Sequence, residues 1–414
     1  MIVLAVALLV FGLAFWRPTW STATIILLWP AYLLRAKLGG IPTTALELSI
    51  YAALLGSLFR PFFRTLLWRR LRLVPGSWRA VLTLWVAAWI LSAVFSADKQ
   101  ASFGALKAWL VDPLLFAGLL AGATQTATDR TNLLKAVMLS GLAVAVFGLY
   151  QEVWLRTELQ DGRLSSFFHP VANYAAMYLG PVFVLGLGAL MNKILRGWWW
   201  VIIGLIGVAL ALTLSYGAFL AVAVGAVAVW AFLPRSKIKR NIANITIFVG
   251  ALVVISLSQT KNFAEHFTNP DRTSAAVRYQ IWRTTWEIIK HHPIFGIGPN
   301  NFEAAYRATI PALFWPPLEW LVAKAHNLYL NLWVETGILG LVSFLALVGL
   351  QIRGLARQLS QPEQRPYAII GFAALLAILT HGLLDTPYFK NDLALIVVFV
   401  FILPWLSSSE VKTN

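Results

Sequence analysis

His326 stands where a long polar stretch, residues 259–324, gives way to an apolar run, and it is the residue best suited to move a proton. A neutral imidazole, with an ordinary pKa of about 6.5, accepts a proton from a hydroxyl near neutral pH. Asn327, Asn331 and Glu335 follow at intervals of four, so they line one face of the helix that must begin there. Such a stripe faces either a wet cavity, where it binds substrate, or another helix, where it forms a hydrogen-bonded seam. The histidines His169, His266, His291, His292, His326 and His381 include no His-x-His or His-x-x-x-His pair. Adjacent His291 and His292 point to different helix faces, so the spacing does not describe a metal site.

A second chemical group lies upstream. Ser274–Lys290 has the pattern of an amphipathic helix, with Arg278, Trp282, Trp286 and Ile289 on one face and Arg283, Glu287 and Lys290 on the other. An arginine among tryptophans either snorkels to a membrane surface or aims its planar fork into a cleft to grip a phosphate. Lysine could not reproduce that bidentate grip. His292-Pro293 ends the helix, and Gly296 to Phe302 make a glycine-rich turn that alone says little about phosphate. Arg163 precedes the segment Phe167 to Tyr174 in another polar linker, while Asp112 and Asp385 are acids near or within apolar segments. Trp282, Trp286, Phe314, Trp315 and Trp320 are suited to stack on sugars or to anchor an interface.

These residues need a scaffold, and composition says what kind. The chain has 414 residues, 59% hydrophobic and only 12% charged, where soluble domains carry about 25% charged residues. The runs Val201–Leu214, Gly217–Leu233 and Ile242–Leu257 contain no ionisable residue and approach the length that crosses hydrocarbon. We therefore expect an all-α, polytopic transmembrane bundle of about 12 spans, folded as a single membrane domain over residues 1–414. The net charge of +16 sets topology rather than binding nucleic acid, since lysine and arginine collect in cytoplasmic loops. With no cysteine, disulfides and thiolate chemistry are excluded. The first residues lack the basic start and cleavage site of a signal peptide and read as a membrane segment.

Basic clusters orient the bundle. Arg60, Arg64, Arg69, Arg70, Arg72 and Arg79 form the densest, followed by Arg130/Lys135, Lys193/Arg196, Arg235 to Arg240, and Arg353/Arg357/Arg365. Placing all of them in the cytoplasm pairs the spans as 80–97 with 105–123, 133–155 with 170–191, 198–213 with 217–233, 242–258 with 325–350, and 367–384 with 390–406. The linkers inside each pair, including the polar loop 259–324, then face outward, and so do the histidines. Two short segments, 1–15 and 19–34, precede them, with a cytoplasmic start preferred, although Arg35 and Lys37 fit the alternation poorly.

The runs Arg278-Tyr279-Gln280-Ile281-Trp282, His292-Pro293-Ile294-Phe295-Gly296-Ile297-Gly298-Pro299-Asn300-Asn301-Phe302, Ala325-His326-Asn327-Leu328-Tyr329 and Glu335-Thr336-Gly337-Ile338-Leu339-Gly340 resemble the signature of the O-antigen ligase and O-antigen polymerase family. The resemblance implies a polytopic glycosyltransferase, without metal or other cofactor, at the outer face of the cytoplasmic membrane. It would move a glycan from an undecaprenyl-diphosphate carrier to a hydroxyl of a glycan, lipid or lipid-A-core acceptor. His326 matches the family's essential histidine and Arg278 its diphosphate-binding loop arginine. Where members often have Ser-Arg-Gly-Ala, this chain has Ser215-Tyr216-Gly217-Ala218, so Tyr216 stands in place of a second arginine that Arg163 would have to replace. Asn327 and Glu335 complete the expected substrate-binding set, with membrane lipids as surroundings and no nucleic acid. A transporter using Asp112, Glu335 and Asp385 as pathway acids is one alternative. An enzyme that glycosylates protein hydroxyls is another.

Overall fold

A computed structural model describes residues 2–155, 162–233 and 274–406. The expected span 242–258, the start of the polar loop (259–273) and His266 lie outside the described residues.

The N-terminal third departs from two simple spans. Helix α1 covers Ile2–Trp16 and α2 covers Pro18–Leu27, and a short 3-10 turn, Trp29–Leu33, follows in place of more α-helix. Strands β1 (Arg35–Leu38) and β2 (Ile41–Thr44) then pair antiparallel with Arg35 opposite Thr44, a small exception to an all-helical chain. This hairpin holds Arg35 and Lys37, the two residues that did not fit the charge alternation. Helix α3 (Ala45–Leu58) is a third apolar helix that the expected spans lack. Its Glu47 is buried because the carboxylate meets Lys107 at 2.9 Å, Thr43 at 3.0 Å and Asn391 at 3.4 Å. A paired and hydrogen-bonded carboxylate is what an apolar environment tolerates.

Helix α4 (Pro61–Leu73) turns away from α3 by 103° and carries the arginine cluster, with Arg70 donating to the Ala121 carbonyl at 2.7 Å. Three segments therefore precede that cluster, and Ile2 and Val3 lie beside Leu33 to Leu38 at the hairpin end. The first helix thus starts at the end opposite the arginines, so a cytoplasmic start and a cytoplasmic arginine cluster do not go together.

The rest of the chain forms α5 (Gly76–Val94), α6 (Lys99–Leu106), α7 (Asp112–Ala123), α8 (Ala127–Tyr150), α9 (Ala172–Met191), α10 (Trp199–Leu212), α11 (Tyr216–Ala231), α12 (Ser274–His291), α13 (Phe302–Leu313), α14 (Leu328–Leu359), α15 (Arg365–His381) and α16 (Asn391–Ile402). A wide turn at Lys107–Val111 joins α6 and α7 into one segment. Among the described residues five helical segments are long and apolar enough to cross a membrane, and a sixth if α3 and α4 count as one bent span. Shorter apolar helices, α1, α10, α11, α15 and α16, pack with them, and the chain is a multi-pass membrane protein. Helix α9 is its centre, with 89% of its apolar window buried, whereas α5 at 28% lies at the periphery. Around the fully buried Trp29, the rings of Phe116, Tyr178 and Phe399 meet it edge-on at 6.1–6.4 Å.

The described part of the polar loop has a core of its own. Ile281 and Ile288 of α12 pack on Phe302, Tyr306 and Ile310 of α13, together with Val322, Ala325 and Val334. Two amphipathic helices thereby bury their apolar faces against each other and against the start of α14. The chain from Phe314 to Asn327 wraps over them, held where Leu318 N–H donates to Gln280 at 2.9 Å and Tyr306 O–H to the Glu319 carbonyl at 3.1 Å.

Candidate active site

Asn327 caps α14: its side-chain oxygen accepts from the N–H groups of Tyr329 and Leu330, both at 3.0 Å. The helix accordingly starts at Leu328, and His326 sits in the loop ahead of it rather than inside the expected span 325–350. His326 has φ 46°, the left-handed region that costs a non-glycine residue energy, so its neighbours must hold it there. The polar stripe does this. Glu335 binds Lys324 at 2.7 Å, Asn331 accepts from Ala325 N–H at 2.9 Å, and Asn327 donates to the Leu383 carbonyl at 3.0 Å. From the other side Trp282 donates to the Ala325 carbonyl at 3.1 Å, and Leu328 N–H reaches the Gly382 carbonyl at 2.7 Å. The stripe anchors the histidine's loop to its own helix.

The glycine-rich turn has a related use. Gly337 breaks α14 with φ 70° and ψ −178°, a conformation open essentially to glycine alone. At the break Ile338 N–H bonds the Pro293 carbonyl at 2.9 Å and the Val334 carbonyl takes Ile297 N–H at 2.9 Å, so the turn substitutes for a missing rung of the helix. The Glu335 carbonyl accepts from Gly298 N–H at 3.1 Å and from Ser92 at 2.5 Å. A Cβ on Gly337 would lie 1.8 Å from the Ile294 carbonyl oxygen. Asn301 closes the turn by donating to Ser102 of α6 at 2.7 Å and to Ser96, in the linker between α5 and α6, at 3.0 Å. The turn's backbone thus serves docking.

Asp385, buried in the loop after α15, places Oδ1 3.3 Å from His326 Nδ1. The pair is at ion-pair range without an aligned hydrogen bond, and such contacts in substrate-free sites often tighten on binding. Burial alone would lower the His326 pKa, but the Asp385 carboxylate more than offsets it, so the histidine lies above its ordinary value of 6.5. Burial would raise Asp385, and His326 outweighs this to hold the carboxyl below its ordinary 3.8. Arg278 joins them from α12: Nε donates to the Leu384 carbonyl at 3.3 Å, and Nη1 to Ser274. Its charge lowers the pKa of His326, as a neighbouring cation must. The site therefore combines a one-third exposed imidazole, a buried carboxylate behind it and a guanidinium alongside.

Tyr216 is 57% exposed at the first turn of α11, while Gly217 lies against His381, whose Nε2 a Cβ would approach to 3.3 Å. Arg163 donates to the Thr213 carbonyl at 2.8 Å and to Asn173 at 2.5 Å, tying its loop to the α10–α11 turn. Of the residues expected in the site, His326, Asn327 and Arg278 converge on residues 383–385, Glu335 lies beneath them in its pair with Lys324, and Arg163 and Tyr216 flank the neighbouring turn. Sequence reasoning missed Lys324 altogether and did not join Asp385 to His326. The one signal for the latter was the spacing of His381 and Asp385, four apart where a span meets its outer linker. Lys324 also lies 4.4 Å above the Trp109 ring, and Lys390 lies 3.4 Å above Tyr174 while donating to Tyr32 at 2.9 Å.

Comparison with known proteins adds two findings. Residues 201–345 match the family model described as O-antigen ligase. An O-antigen ligase of Salmonella typhimurium (strain LT2) is 32% identical over 164 residues, covering 37% of this chain and 39% of that relative. The alignment with that relative spans less than half of its length, and the family-model bounds include Arg278, the glycine-rich turn and His326.

Proposed function

We propose, from the match of residues 201–345 to the O-antigen ligase family model, that the chain transfers a glycan from a polyprenyl-diphosphate carrier, undecaprenyl diphosphate, to an acceptor hydroxyl at the outer face of the inner membrane. The observation that carries this is the His326–Asp385 contact of 3.3 Å with Arg278 bound to the adjoining Leu384 carbonyl. The acceptor oxygen attacks the anomeric carbon, its proton passes to His326, and the bond from that carbon to the diphosphate oxygen breaks. With Nδ1 turned to Asp385, Nε2 is the nitrogen free to take the proton, and the carboxylate stabilises the imidazolium that forms. The departing diphosphate gains negative charge, which the Arg278 guanidinium is suited to offset in a site of low water content.

The acceptor in this proposal is a glycan, lipid or lipid-A-core hydroxyl. The transporter alternative loses support, because Glu335 is neutralised by Lys324 and Asp385 lies in a loop, which leaves Asp112 alone among its three acids. The test is turnover of lipid-diphosphate glycan by purified protein in liposomes supplied with acceptor. His326→Ala should abolish transfer while leaving expression and thermal unfolding unchanged. Full activity in that variant would remove the mechanism.

A further inference from the structure

The end of the bundle opposite His326 holds a cavity of about 510 Å³ between the start of α5 and the end of α14. Arg353 and Arg357, one turn apart on α14, share its wall with Gln358, Gln361 and Gln364, and among the described residues no carboxylate lines it. Among the described residues neither guanidinium has a hydrogen-bond or ion-pair partner. Gln358 is only 4% exposed, yet its Oε1 accepts nothing from the protein. By contrast Gln351, two turns earlier, is satisfied: its Oε1 takes the Trp405 indole N–H at 2.9 Å, and Trp405 meets Trp78 edge-on at 6.1 Å. These two tryptophans form the apolar side of the cavity.

We propose that this cavity binds the headgroup of an anionic phospholipid, with Arg353 and Arg357 on the phosphate and Gln358 Oε1 accepting from a headgroup hydroxyl. Two guanidinia one turn apart match the oxygens of a phosphate diester, and among the described residues no lining acid competes for them. A buried amide oxygen without a donor costs free energy unless a ligand supplies one, and a glycerol hydroxyl does so where choline cannot. The tryptophan wall places the cavity at a membrane–water boundary and offers a surface to the glycerol ester region, which free phosphate would not use. Basic pockets between membrane helices are suited to this class of ligand.

The test uses full-length protein in detergent, its thermal unfolding followed with added phosphatidylglycerol, phosphatidylcholine or inorganic phosphate. Phosphatidylglycerol should raise the midpoint and the other two should not. Arg353→Gln/Arg357→Gln should weaken the apparent affinity for phosphatidylglycerol by about 30-fold, and Arg353→Lys/Arg357→Lys by less. Gln358→Leu should narrow the preference for phosphatidylglycerol over phosphatidic acid, which lacks the hydroxyl. Native mass spectrometry of the wild type should retain phosphatidylglycerol in preference to phosphatidylcholine, a readout that needs no variant to fold. Equal stabilisation by phosphatidylcholine or by inorganic phosphate, or unchanged affinity in the glutamine double variant, would overturn the proposal.

Discussion

Removing either partner of the Lys324–Glu335 pair should destabilise the protein, and by unequal amounts. The side chains are 8% and 0% exposed and lie 2.7 Å apart. Breaking a buried ion pair by deleting one partner costs about 3–5 kcal/mol, because the survivor becomes a buried charge without a counter-ion. The two survivors differ in what they keep. Without Glu335, Lys324 still lies over Trp109 at 4.4 Å and Phe389 at 5.3 Å, and a desolvated cation over an indole is stabilised by about 2 kcal/mol. Without Lys324, Glu335 keeps no side-chain partner, since its Oε2 has none to begin with. Lys324→Met should therefore cost about 5 kcal/mol and Glu335→Leu about 3 kcal/mol. The double variant removes both charges and should cost less than either single change, about 1 kcal/mol. Unfolding of the four proteins in one detergent measures the cycle. Additive losses, or equal losses in the two single variants, would refute the reasoning.

Three further outcomes are expected. The neutral form of His326 is the base, and Asp385 raises its pKa above 6.5, so transfer should rise with pH through a limb above that value. In Asp385→Asn burial and the Arg278 charge face only the smaller opposing effect of Glu319, so the limb should move to lower pH with a reduced plateau; an unmoved limb in the rate–pH profile would contradict the pairing. Arg278→Lys should lose transfer nearly as fully as Arg278→Ala, by 10-fold or more on the order of a lost bidentate contact, and wild-type turnover in the lysine variant would favour mere snorkelling. Gly337→Ala forces a Cβ to within 1.8 Å of the Ile294 oxygen at φ 70° and should lower the unfolding midpoint and release α12 and α13 to protease, whereas Gly12→Ala, with open space around it, should do neither.

From α5 onward the apolar spans among the described residues were legible in the sequence because uncharged runs between basic clusters leave few alternatives in a bilayer, whereas α13 and the helical stretch Lys99–Leu106 were not read. The N-terminal third was not, since α3 carries Glu47, whose charge is cancelled by Lys107 about 60 residues further along. Periodicity sees neighbours on one helix and is blind to a partner on another. The same limit explains the site. The stripe Asn327, Asn331 and Glu335 was visible as a stripe, but its partners Lys324 and Ala325 lie in an irregular loop whose path no period describes. Arg278 and Trp282 were correctly placed on one face because α12 is amphipathic, and that face does meet residues 384 and 325. Asp385 came to His326 only through the return of the loop after α15, a contact across residues far apart in the chain.

The broken rung at Gly337 also constrains how the molecule is made. When α14 leaves the ribosome, the segments that supply Pro293, Ile297 and Ser92 have already been synthesised, so every group that the break requires precedes it in the chain. With the polar loop at the outer face, as proposed, α12 and the glycine-rich turn must cross the bilayer before those groups can meet the break. Until then the carbonyls of Val334 and Glu335 would sit bare in hydrocarbon, at several kcal/mol each by order of magnitude. On that topology, translocation of the polar loop and seating of α14 are one event, and a loop held in the cytoplasm would leave that helix unable to settle at its proper depth.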